Sequence, residues 1–149
     1  MAKEFHQGKF TPKNPEKYVG DVNNIIYRSS WEKRLLLWLD ENPSVLKYSS
    51  EEIVIPYLSP VDNRIHRYFP DFLVEFKDIN GVVKKVLIEI KPKSQTVLPT
   101  VPKRLTESYH KSVETYAINQ AKWTAAKAWC KNHNMDFWIM TEYELGLKK

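Results

Sequence analysis

The 149-residue chain has a single cysteine, Cys130. One thiol forms no internal disulfide, so a reducing compartment is the simple expectation. Four scattered histidines and one cysteine offer no zinc-ligand spacing, which argues against a structural zinc site. No segment approaches the roughly 18 consecutive apolar residues that mark a membrane span. The opening MAKEFHQGKF lacks the apolar core of a secretion signal, and a protein that is not secreted is expected. There are no internal repeats. A hydrophobic content of 42% is ordinary for a globular protein, and the length suits one domain with a real core.

Charge is unevenly spread. Residues 29–90 carry eight basic and ten acidic groups, whereas residues 91–149 carry ten basic and five acidic ones. Residues 1–28 are also basic on balance. An acidic centre with basic flanks suits a polyanion held at its edges around a cation, although a solvated surface of mixed charge has the same composition.

Residues 1–27 show no sustained period and are interrupted by Pro12, Pro15 and Gly20. They read as a basic N-terminal arm, ordered only where it docks, ahead of a single domain spanning 28–149. RSSWEKRLLLWLDENP predicts a helix over about 30–41, with Ser29 as N-cap and Glu32 completing a capping box. Leu35, Leu36, Leu39, Trp31 and Trp38 form its apolar face. EEIVIPYL (51–58) predicts a short strand and SPVDNR (59–64) a turn. IHRYFPDFLVEFK and VVKKVLIEIK read as two long strands around Asp78-Ile79-Asn80-Gly81. The loop after Lys91 holds Pro92, Pro99 and Pro102 and is neither helix nor central strand. A helical pattern runs from about Glu107 to His133, with Asn119 as the candidate for a break. Ala121, Ala125 and Ala128 are its expected sheet-facing residues, with Trp123 and Trp129 also assigned to the core. DFWIMTEYE (136–144) predicts the last strand. The order is αβββαβ, an α/β fold with helices packed on a mixed sheet.

The hairpin admits two registers. A two-residue loop at Asn80-Gly81 pairs Ile79 with Val82. A three-residue loop, Ile79-Asn80-Gly81, closes with Gly81 in the left-handed region as a bulge and pairs Asp78 with Val82. The second register gathers Phe72, Val74, Phe76, Val86, Ile88 and Ile90 on one face and sets Glu75 opposite Lys85. It is preferred for those reasons, and it places Asp71 beside Glu89, with Lys91 on the same face. Two adjacent carboxylates repel unless one is protonated or a cation lies between them. A hard ion such as Mg²⁺, taking Asp71, Glu89, the Ile90 backbone carbonyl and waters, resolves that conflict. A neighbouring lysine can orient water and stabilise phosphate charge, so the set suits metal-assisted phosphodiester hydrolysis.

With Pro70-Asp71 and Glu89-Ile90-Lys91 arranged this way, the sequence resembles the PD-(D/E)xK nucleases, in their TnsA-like branch. A glutamate-bearing helix (Glu32) precedes the strands, a hairpin joins the two motif halves, and NQAKW (119–123) opens a helix after them. Over essentially its full length the chain is similar to the head completion nucleases of T4-like phages. The resemblance implies a restriction-endonuclease-like core and a Mg²⁺-dependent DNA nuclease in which Mn²⁺ can substitute. It makes Asp71 and Glu89 the metal-binding acids and Lys91 the catalytic lysine. Glu32 would complete the site directly or through water, and Gln120 would lie near the scissile phosphate. It further implies a part in finishing the DNA-filled head before the tail attaches. The partners would be phage head, portal or neck proteins, and the location the host cytoplasm or the virion.

Lys93, Lys103 and Arg104 in the proline-rich loop are candidate DNA contacts. The row Gln120, Thr124, Lys127 and Lys131 suits either phosphate contacts or a solvated helix face. A non-catalytic DNA-binding or head-joining protein on a nuclease fold is the alternative, and the intact acid pair and lysine argue against it.

Overall fold

The computed structural model describes residues 7–148; the first six residues of the basic arm and Lys149 lie outside the described residues. In chain order the elements are β1 (Gly8–Lys9), β2 (Ile26–Tyr27), α1 (Ser30–Glu41), β3 (Val45–Ser50), β4 (Ile55–Leu58), β5 (Ile65–Tyr68), β6 (Phe72–Lys77), β7 (Val83–Ile90), α2 (Glu107–Asn132) and β8 (Asp136–Met140).

Ser29 starts α1 by accepting the Glu32 backbone N–H on Oγ at 3.2 Å. The Glu32 carboxylate folds back to the same end and accepts the Arg28 N–H. Trp31, Leu35, Leu36 and Leu39 are buried at helical spacing. Trp38, expected beside them, is 57% exposed at the rim of that arc. Upstream, β1 and β2 pair antiparallel, and Phe10, Tyr18 and Ile25 enter the same core cluster as the α1 leucines. The Lys17 ammonium caps the end of α1, donating to the carbonyls of Leu39, Asp40 and Asn42 at 2.8, 2.9 and 2.9 Å.

The main sheet has the order β3-β6-β7-β8, antiparallel except for the parallel β7–β8 pair. With α1 and α2 it gives the αβββαβ order of a restriction-endonuclease-like core. Its first strand is not the one expected at 51–58. Val45–Ser50 takes that place, and a register shift between Val45 and Lys47 hides its alternation. Glu51, at φ +54°, then turns the chain out of the sheet. Only Ile55–Leu58 of the expected segment is strand, and it pairs with β5 in a separate two-stranded sheet.

The run 65–77, expected as one strand, is likewise divided. Pro70, buried and without an N–H, separates β5 from β6, so the two halves serve different sheets. The hairpin register is the three-residue-loop one: Leu73 pairs with Leu87 and Glu75 with Lys85, and the Asp78 N–H reaches the Val82 carbonyl at 2.9 Å. Gly81 sits at φ +77° with nothing within 4 Å of where a Cβ would be. Gly81→Ala therefore meets no clash and loses only the conformational term. We expect it to lower unfolding free energy by about 1 kcal/mol, read from urea denaturation, without shifting the register.

Phe72, Val74, Val86, Ile88 and Ile90 pack under α1, with Phe76 partly buried beside them. The opposite face carries Leu87, packed with Trp123, Ala126 and Cys130 of α2 and with Ile55, Tyr57 and Tyr68 of the small sheet. α2 is one unbroken 26-residue helix, and Asn119 is buried within it rather than marking a break. Its sheet-facing row is Asn119, Trp123, Ala126 and Cys130; Ala128, expected there, is exposed. β8 ends at Met140, and turns occupy the rest of the segment expected as strand to 144. Among the described residues no helix is long and apolar enough to cross a membrane.

Candidate active site

The chemistry gathers where β6 begins and β7 ends. The β6–β7 ladder runs out at Phe72 opposite Ile88, so Asp71 is not a further cross-strand rung as expected. It caps the ladder with its side chain instead: Oδ2 accepts the Ile90 backbone N–H at 2.7 Å. Its carbonyl accepts the Glu51 N–H at 3.0 Å, which ties the start of β6 to the end of β3. A carboxylate held by a backbone N–H in this way has its orientation set by the sheet itself.

Glu89 lies on the α2 side of β7, two residues beyond Leu87, and is only 7% exposed. A buried carboxylate needs partners. The Tyr68 hydroxyl donates to Glu89 Oε1 at 2.8 Å, and the Lys91 ammonium stands 3.6 Å from Oε2. Burial, and next the Glu89 charge, push the Tyr68 pKa well above its ordinary value, so the phenol remains a donor. The Lys91 backbone N–H bonds the Met140 carbonyl at 3.0 Å, extending the β7–β8 ladder past Ile90 and fixing the root of the lysine.

Three residues that sequence reasoning did not single out belong to this neighbourhood. Tyr68 enters from β5, in the other sheet, and no pattern along β6 or β7 points to it. Lys122 is half-buried, with its ammonium 5.6 Å from the Tyr68 ring centroid and 5.8 Å from that of Tyr57. Burial, and then the Lys91 charge, hold its pKa below the ordinary lysine value. Lys122 lies within NQAKW, and reading that segment as a helix start gave the lysine no role. Arg28 pairs with Glu51, and this bond above all raises its pKa; Glu32 and Asp71 add to the same field.

The remaining candidates fall at varying distance from this centre. Glu32 is buried in the first turn of α1 and has one oxygen engaged by the Arg28 N–H. Gln120 is half-buried in the middle of α2 rather than at a helix start. Lys93 is exposed in a single 3₁₀ turn (Lys93–Gln95) directly after the site, and its N–H donates to Glu142 Oε1 at 2.7 Å. That bond is the main cause of the lowered Glu142 pKa. Lys103 and Arg104 are exposed in the loop before α2, and Thr124, Lys127 and Lys131 are exposed along the helix. Among the described residues no three His, Cys, Asp or Glu side chains converge as a metal cage. What Asp71, Glu89 and the Ile90 carbonyl could offer an ion is two carboxylates plus backbone oxygen. It is the hard, oxygen-only kind that Mg²⁺ accepts while keeping several waters.

The family model of the TnsA-like endonuclease N-terminal domain matches residues 42–142, a span that contains Asp71, Glu89, Lys91, Gln120 and Lys122 and leaves out Glu32. The chain is also 40% identical over 141 residues to the Head completion nuclease of Enterobacteria phage T4, covering 92% of this chain and 91% of that protein. A family model that spans more than half of the chain and a near full-length relationship place it: the chain belongs to the TnsA-like endonuclease family.

Proposed function

We propose that this protein is a Mg²⁺-dependent deoxyribonuclease that hydrolyses phosphodiester bonds and acts in phage head completion and head–tail joining during virion assembly. The observation that carries the reading is the anchored pair at the end of the hairpin. Asp71 is fixed by the Ile90 N–H, Glu89 by the Tyr68 hydroxyl, and the Lys91 ammonium lies 3.6 Å from Glu89. The assembly role rests on the likeness to the T4 protein, whose name describes head completion.

Asp71, Glu89 and the Ile90 carbonyl would hold the ion, with Glu32 reaching it directly or through a water. A bound divalent cation would polarise the phosphate and lower the pKa of its water. The rest is the work of the chain. Lys91 orients the attacking water and neutralises charge growing on the phosphate. Lys122 brings a second cation to the same end of β7, and Gln120 lies two residues from it on α2. Lys93, Lys103, Arg104 and Lys127 contact the backbone of DNA away from the cut, in a salt-dependent and sequence-tolerant way. Phage head, portal or neck proteins are the partners this role requires, in the cytoplasm of the infected host and in the virion.

Incubation with supercoiled plasmid tests the reading. The protein with Mg²⁺, or with Mn²⁺ in its place, should convert the plasmid to nicked or linear forms, and EDTA should stop it. Cleavage that continues in EDTA would overturn the metal dependence. Salt-sensitive DNA binding with no cleavage under any divalent ion would instead favour a non-catalytic head-joining protein.

A further inference from the structure

We propose that Tyr68 is the positioning residue for Glu89, holding its carboxylate in the one orientation that presents an oxygen to the metal. This rests on the reading of Glu89 as a metal ligand. The Tyr68 hydroxyl has one hydrogen, and it donates that hydrogen to Glu89 Oε1 across an oxygen–oxygen distance of 2.8 Å in a buried environment. The indole Nε1 of Trp123 belongs to the same buried cluster as the Tyr68 ring. That nitrogen is buried and near enough to influence the hydroxyl, without meeting hydrogen-bond geometry. An indole N–H can only donate, so it can approach only a lone pair of the phenol and leaves the hydroxyl hydrogen directed at Glu89.

The ring is as constrained as its oxygen. Tyr68 is the last residue of β5, paired with Ile55, and its side chain packs with Trp123 and Leu87. Lys122 stands over the ring face at 5.6 Å. Two residues further along, Pro70-Asp71 opens β6, so the chain segment that delivers Asp71 to the site also delivers the donor that orients Glu89. With Oε1 held by Tyr68, a cation approaching Glu89 meets Oε2, the oxygen that faces Lys91 at 3.6 Å. Groups that hydrogen-bond a ligating carboxylate set its direction, and removing them weakens metal binding even though they never touch the ion.

Mn²⁺ binding, followed by electron paramagnetic resonance or calorimetry without DNA, separates this role from catalysis. Tyr68→Phe keeps the ring and its packing and deletes only the hydroxyl. We expect it to bind Mn²⁺ about 10- to 100-fold more weakly than wild type. Tyr57→Phe removes a hydroxyl from the other ring beneath Lys122 and should leave Mn²⁺ affinity unchanged. Thermal melts confirm that each variant is folded at the temperature used. Equal affinity in wild type and Tyr68→Phe, or equal losses in Tyr68→Phe and Tyr57→Phe, would overturn the inference while leaving the metal site standing. Absence of Mn²⁺ binding by wild type would overturn the metal reading and this inference with it.

Discussion

Asp71→Asn is expected to leave the protein folded and to slow DNA cleavage by about a hundredfold or more. The side-chain oxygen of asparagine can still accept the Ile90 N–H that Asp71 Oδ2 accepts at 2.7 Å, so the cap on the β6–β7 ladder survives. What disappears is the negative charge, and with it half of the acid pair proposed to hold a divalent ion. Losing one preorganised electrostatic contact in an active site costs on the order of 10²- to 10³-fold in rate. Lys91→Ala should slow cleavage on a similar scale from the other side of the site, because it removes the cation 3.6 Å from Glu89. Asp71→Ala is the informative contrast. It removes the acceptor as well as the charge, and should cost about 1–2 kcal/mol of stability in addition to activity. Plasmid nicking rates and thermal melts on the three variants distinguish these effects. Wild-type cleavage by both Asp71→Asn and Lys91→Ala would show that the chemistry lies elsewhere.

Asp40→Ala should produce the largest loss of stability, about 3 kcal/mol or more. Asp40 is only 2% exposed and sits in the last turn of α1, where the helix dipole disfavours a negative charge. It is retained there by its donors. Oδ2 accepts the Lys13 N–H at 2.9 Å, and Oδ1 accepts the Asn14 N–H at 3.2 Å and the buried Tyr48 hydroxyl at 3.1 Å. Alanine would remove the acceptor of all three, and the Tyr48 hydroxyl, buried with its ring, would be left without a partner. Each unsatisfied buried donor costs about 1–3 kcal/mol. The same change releases the segment that brings Phe10 and Tyr18 into the core. Urea denaturation measures the loss, and a change below about 1 kcal/mol would mean that this carboxylate is not what binds residues 13–14 to α1. Because Asp40 lies far along the helix from Glu32, cleavage per folded molecule should be unaffected.

The hairpin was legible because two independent codes agree on it. The apolar period of two demands that Phe72, Val74, Val86 and Ile88 share a face, and the turn Asp78-Ile79-Asn80-Gly81 allows the register that does so. That register brings Asp71, Glu89 and Lys91 to one end of the hairpin, although the ladder stops at Phe72 and Asp71 meets Ile90 through its side chain. The first sheet strand was hidden for the opposite reason. VLKYSS has a register shift after Val45 and ends in two serines, so neither period nor composition marks it, while the more regular EEIVIPYL drew the assignment. The reading of α2 was half right: Ala121 and Ala125 do pack beside Trp123, Ala126 and Cys130, whereas Ala128 is exposed and the continuous helix sets Lys122 over Tyr57 and Tyr68. Tyr68 itself could not be found by pattern, because its role depends on two separate sheets meeting at Pro70.

The same topology sets an order of assembly. The Asp71 and Glu89 strands are joined by a three-residue turn, so their pairing is among the most local contacts in the chain and requires little loop closure. Hairpins of this kind form in about 1–10 μs. The parallel β7–β8 pair must wait for the whole connection from Ile90 to Asp136, including the 26 residues of α2, to return to the sheet. The acidic end of the hairpin can therefore exist before the helix that brings Lys122 is in place. The two carboxylates are thus brought to one end of the hairpin early, and the second cation of that neighbourhood, Lys122, arrives late.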